Sequence, residues 1–195
     1  MVYSRRAMSA AAAVVTCGVL LAGCGSDEDS PVTSSTSSGS AQPEYDEAHI
    51  MAEVREADRA FRALNPNAPI PQGADWVTAR YRESYNADNA ELKDMGVVQK
   101  GKVTTKALHL AESDPDAPGG WQVTVYNCNV STMRAYMDGE DVSTDPNDPD
   151  KPLAKGPRSG VSLDSYTTPD AGESWQVDDS QVLSESDAKS SPCDM

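Results

Sequence analysis

An α+β fold, with helices laid over one face of an antiparallel sheet, is what this sequence predicts on three observations. Two helix-like stretches come first, stretches of alternating apolar residues follow, and clusters of Pro, Gly and Asp separate the latter so that neighbouring strands run antiparallel. A curved sheet folded over a helix leaves a cone with a pocket at its open end.

From Glu44 to Leu64 the apolar residues Ile50, Val54, Ala57, Phe61 and Leu64 are spaced by four and three, one face of a helix. Asn65-Pro66-Asn67 ends it. A second helical region is expected from about Ala74 to Met95, stopped by Gly96, as one helix or as two short ones if Tyr85-Asn86-Ala87-Asp88-Asn89 interrupts it. Sheet follows. Val97 to Glu112 reads as one strand and Trp121 to Val130 as the next, joined by the turn Asp114 to Gly120. Ser131 to Met137 adds a short strand. A polar stretch of about 139–158, with four prolines, is expected to be a disordered insert outside the packed core. Val161–Thr168 and Ser174–Leu183 make a final hairpin, with Trp175 and Val177 inward.

Ahead of this domain, Arg5-Arg6, the apolar run Ala10–Val15 and the segment Val19–Ala22 have the anatomy of a secretory signal. The apolar part falls short of the roughly 20 residues that cross about 30 Å of hydrocarbon. Its end, Leu21-Ala22-Gly23-Cys24, matches a lipobox, so residues 1–23 are expected to be removed and Cys24 acylated. Each buried methylene adds about 0.8 kcal/mol, so two or three chains anchor stably. A plain secreted protein is the alternative, and Arg5-Arg6 also admits twin-arginine export. Residues 24–43 carry almost nothing apolar and are expected to be a disordered Ser/Thr-rich linker.

Of four cysteines, Cys17 leaves with the signal and Cys24 takes the lipid. Cys128 and Cys193 remain, and in an oxidising compartment they are expected to pair. The formal charge of −15 becomes −17 on cleavage, because two arginines leave and no acid does. That balance argues against a nucleic-acid partner and against electrostatic adhesion to anionic lipid. The expected location is the extracytoplasmic face of the cell membrane, held by the lipid.

The domain resembles actinobacterial lipoproteins with a nuclear-transport-factor-2-like domain, encoded by the bacteria or by their phages. The residues that carry the resemblance are Asp75-Trp76-Val77-Thr78, Trp121 through Cys128, Tyr136-Met137-Asp138-Gly139, Ser174-Trp175-Gln176-Val177 and Pro192-Cys193. It spans residues 44–195 and implies a cone-shaped fold and a disulfide from central strand to tail. It implies no activity, because the fold hosts enzymes, binders and interaction modules alike.

Enzymes of that fold use a pocket carboxylate with Tyr or His. Here His49, His109, Tyr81, Tyr85 and Tyr126 are the candidates, and their spacing assembles no base with an orienting partner. Tyr81, Tyr85, His109, Trp121, Tyr126 and Trp175 form the candidate pocket, with Trp76 as a further aromatic. The acids Asp141, Asp145, Asp148 and Asp150 lack the central Gly and terminal Glu of a calcium loop. No catalytic residue, metal or cofactor is assigned. The expected function is a non-catalytic, lipid-anchored envelope module that binds an unidentified ligand or envelope protein. A small acid–base enzyme of the same fold, or a surface lipoprotein interfering with phage infection, are the alternatives.

Overall fold

Helix α1 (Glu47–Arg62) starts where the Asp46 carboxylate accepts from the His49 amide at 2.9 Å, satisfying one of the free N–H groups of the first turn. The structure, a computed structural model, describes residues 46–146 and 148–194. The expected signal, Cys24 and all of the 24–43 linker lie outside the described residues. Along α1 the apolar stripe is the expected one: Ile50, Val54 and Ala57 are buried, and Phe61 and Leu64 pack at its end.

Helix α2 (Ala79–Asp94) runs unbroken through Tyr85–Asn89, capped by the Thr78 hydroxyl. It buries no residue fully, so its docking combines the half-buried Tyr81 and Tyr85, packed against the core, with side-chain amides. Asn86 makes two hydrogen bonds to the backbone of Ile70, at 2.7 and 3.0 Å, and Asn89 donates to the Pro66 carbonyl at 2.7 Å. These side chains satisfy loop backbone that no strand reaches.

The single strand expected over 97–112 is two, β1 (Val97–Lys100) and β2 (Val103–Asp114), broken at Gly101. That glycine has φ +105°, and a Cβ there would lie 2.3 Å from the Thr132 carbonyl oxygen. After β3 (Gln122–Ser131) come β4 (Arg134–Met137), β5 (Glu140–Asp141), β6 (Thr144–Asp145), β7 (Asp148–Pro152), β8 (Arg158–Thr167) and β9 (Gln176–Val182). The short helix α3 (Glu185–Ala188) follows them. The main sheet is antiparallel with order β2-β3-β8-β9, and β1-β4-β5 and β6-β7 form two smaller sheets. The α+β expectation therefore holds.

Residues 139–158 depart from the expected disorder, since they carry β5, β6 and β7. Arg134 supplies the reason: its guanidinium bonds the Asp141 carboxylate and the Leu153 and Ala154 carbonyls, drawing both ends of the stretch together. None of its described residues is buried, so it does stand outside the core.

The core lies between α1 and one face of the main sheet, where Val123, Val125, Tyr166, Trp175 and Val177 meet Ile50, Met51 and Val54. The outer edge of β9 is covered by Trp76–Thr78, through Val177 N–H to the Trp76 carbonyl at 2.9 Å and Thr78 N–H to the Val177 carbonyl at 3.0 Å. Among the described residues, the outer edge of β2 pairs with no strand. On the opposite face of the sheet, Cys128 is bonded to Cys193 as expected, with Cα atoms 5.5 Å apart. Among the described residues no helix is long and apolar enough to cross a membrane.

Candidate functional site

A polar side chain buried in an apolar core must find partners, and this core contains Asp58, Asn127 and Asp164, each 5% exposed or less. They come from α1, β3 and β8 and converge on Arg62, the last residue of α1. Arg62 Nε donates to Asp58 Oδ1 at 3.1 Å and Nη2 to Asp164 Oδ2 at 2.9 Å. Asn127 Nδ2 donates to the same two oxygens at 2.9 and 3.0 Å. Thr105 Oγ1 donates to Asp58 Oδ2 at 2.7 Å, and Ser180 Oγ to Asp164 Oδ1 at 2.6 Å. All four carboxylate oxygens are thus occupied. Two acids against one guanidinium leave this cluster one negative charge.

Two tyrosines feel that charge. Burial, and then Asp164, push the Tyr81 hydroxyl up to about 12. Burial, then Asp164 and Asp58, raise Tyr166 well above the ordinary phenol range. The Tyr166 hydroxyl has no hydrogen-bond partner among the described residues, and a neutral phenol is the form such a site tolerates.

Beside this cluster α1 and β2 form an open groove of about 510 Å³. Arg55, Arg59 and Arg62 line it from α1, where spacings of four and three put them on one side of the helix. Lys102, just ahead of β2, and Lys106 on it line the other wall, and Asp58 also lines the groove. A bulge between Thr105 and Ala107 breaks the strand's alternation, so Thr105 and its neighbour Lys106 both reach the groove. Arg62 is ion-paired inside and Arg59 pairs with Glu56 at the surface. Among the described residues Arg55, Lys102 and Lys106 have no carboxylate partner.

The six residues of the expected pocket do not come together. Tyr81 and Tyr85 on α2 stand edge-on to Phe61, with ring centroids 5.7 and 6.5 Å away. Trp121 and Trp175 make their own edge-to-face pair at 5.5 Å. His109 and Tyr126 are register partners on the sheet face away from α1. Period-two alternation dictates that outcome: Leu108 and Leu110 pack on the core, and Tyr126 stands between buried Val125 and Asn127. His49, near the start of α1, has its Nε2 3.2 Å from the Gly172 carbonyl oxygen and is not among the residues that line the groove. Among the described residues no group of three or more His, Cys, Asp or Glu is placed to hold a metal ion.

Sequence reasoning passed over Asp58, Arg62, Asn127 and Asp164. A signal existed for three of them, as each is a polar residue where the local period calls for an apolar one. Asp58 is four residues after Val54 and three before Phe61, Asn127 continues Val123 and Val125, and Asp164 precedes Tyr166 by two. The basic groove had none, because its two walls are some forty positions apart in the chain and meet only on folding.

No family model matches the chain, and no curated protein is significantly similar to it. Among solved structures it is similar to the intermembrane-space region of the chloroplast protein ARC6, at 16% identity and a TM-score of 0.39, over 73% of this chain and 100% of that one.

Proposed function

We propose that this chain is an exported, lipid-anchored lipoprotein of the cell envelope whose domain is a non-catalytic binding module, with the α1/β2 groove as its site. One observation carries the binding reading. Every oxygen of the two buried carboxylates beside the groove already accepts a hydrogen bond from a structural donor, so neither acid is poised as a general base. The enzyme reading asks for a carboxylate with Tyr or His in the interior. Asp164 and Tyr166 do share it, yet the acid is committed and His109 is exposed on the other face.

Location rests on the sequence: the apolar leader, the lipobox ending in Cys24 and the Ser/Thr-rich linker. A disulfide between Cys128 and Cys193 fits an oxidising compartment. The order of the elements is compatible with a nuclear-transport-factor-2-like cone, and the reading as an actinobacterial or phage-encoded lipoprotein rests on the resemblance of the sequence motifs alone.

Two experiments test the reading. In the native host the wild type is expected in the membrane fraction with a mass increase for acyl chains. Cys24→Ala is expected to lose both, and an acylation-independent membrane association would refute the anchor. A thermal-shift screen of the full chain against envelope lipids, wall fragments and metabolites is expected to find a ligand that raises the melting temperature and is recovered chemically unchanged. A ligand converted to product would replace the module with an enzyme.

A further inference from the structure

We infer that the α1/β2 groove is a receptor for a multiply charged, phosphate-bearing anion, a ligand class that rests on the binding-module reading and gives it chemistry. The chain has 31 acids and 16 Lys and Arg, yet five of those cations line this one groove. Three of them, Arg55, Lys102 and Lys106, have no carboxylate partner among the described residues. Arg59 is paired with Glu56, and Arg62 with Asp58 and Asp164 carries one negative charge. The three unpaired cations therefore leave the groove a net charge of about plus two, which a bound anion of charge two matches and a single charge does not.

Geometry narrows the ligand further. The cations sit on both walls, so the ligand must accept donors from two sides, as the several oxygens of a phosphate do. Arginine supplies planar forks that suit phosphate, and Thr105 stands between the lysines on the strand wall. The groove volume of about 510 Å³ lies in the range of small-molecule sites, roughly 300–1,000 Å³. The open edge of β2 would otherwise invite an extended peptide, but the bulge at Lys106 interrupts the ladder and puts a lysine there, two devices that blunt strand addition. The bulge thus turns an edge strand into a wall of side chains. Arg62 is fixed in advance by Asp58 and Asp164, so part of the ordering cost of binding is already met.

The experiment is isothermal titration of the purified full chain at low salt. Pyrophosphate and phosphatidic-acid vesicles are the phosphate probes, and citrate and phosphatidylcholine vesicles are the controls. Pyrophosphate or the phosphatidic-acid vesicles are expected to bind, and the tighter of the two identifies the source as soluble or as a lipid headgroup. The double reversal Arg55→Glu with Lys106→Glu is expected to weaken binding at least tenfold. Lys93→Glu with Lys155→Glu, an equal charge change outside the groove, is expected to stay within twofold. Both pairs are exposed, and unchanged near-UV circular dichroism checks their folding. Absence of binding by both phosphate probes, equal loss in both double variants, or citrate binding as tightly as pyrophosphate would overturn the inference. If the phosphate probes fail while the ligand screen returns another unmodified ligand, this ligand class falls and the module stands. If a bound phosphate ester is hydrolysed, the site stands and the module reading falls.

Discussion

Arg62 holds two buried acids at once, and its removal shows what a guanidinium does inside a core. Arg62→Met leaves Asp58 and Asp164 facing each other with only Asn127, Thr105 and Ser180 as donors. Breaking a buried pair in this way costs about 3–5 kcal/mol, and urea unfolding is expected to show a free energy of unfolding lower by that much, read as a lower midpoint at unchanged slope. Tyr81 gives a second residue-level expectation. Its folded value of about 12 lies above its ordinary 10.0, so the folded state keeps a proton that the unfolded state gives up. The contribution to stability is whole below pH 10 and is lost as pH rises toward 12. Melting temperatures across that window are expected to fall more steeply for the wild type than for Tyr81→Phe. At this scale the sequence was partly legible: Asp58 stood in an apolar stripe where its charge was visible, but nothing local announced that Asp164 and Arg62, 102 positions apart, would share it.

At the scale of elements, most boundaries followed from period and turn chemistry. The stripe Ile50-Val54-Ala57 made α1, and the Asp114–Gly120 turn set β2 against β3. Where reading failed, the cause was a distant contact. The break between β1 and β2 depends on Thr132, which crosses so near Gly101 that no side chain fits. Gly101→Ala is expected to lose at least about 1–3 kcal/mol, from the left-handed backbone and the clash together, with hydrogen exchange rising first in β1 and β4. The order of residues 139–158 likewise depends on Arg134 reaching carbonyls about 20 positions away. Aromatic residues misled for a simpler reason. They were grouped by chemistry into one pocket, whereas strand alternation sends His109 and Tyr126 to one face and helix packing holds Tyr81 and Tyr85 on the other.

For the whole molecule, charge and covalent closure matter most. Net charge was legible from composition, but its distribution was not, since the cations of 55–62 and of 102–106 share a groove only after folding. The cysteines were legible by elimination, and the bond they make spans 65 positions. For a loop of that length the chain-entropy account gives about 4 kcal/mol. Cys193→Ser is expected to lower unfolding stability by roughly 2–4 kcal/mol, and a reductant is expected to do the same to the wild type but nothing further to the variant. The bond also makes a closed ring of residues 128–193, and the exposed 139–158 stretch lies wholly inside it. A protease that nicks that stretch once therefore opens the ring without dividing the molecule. The disulfide keeps both pieces joined, and the cut becomes a loss only when a thiol arrives.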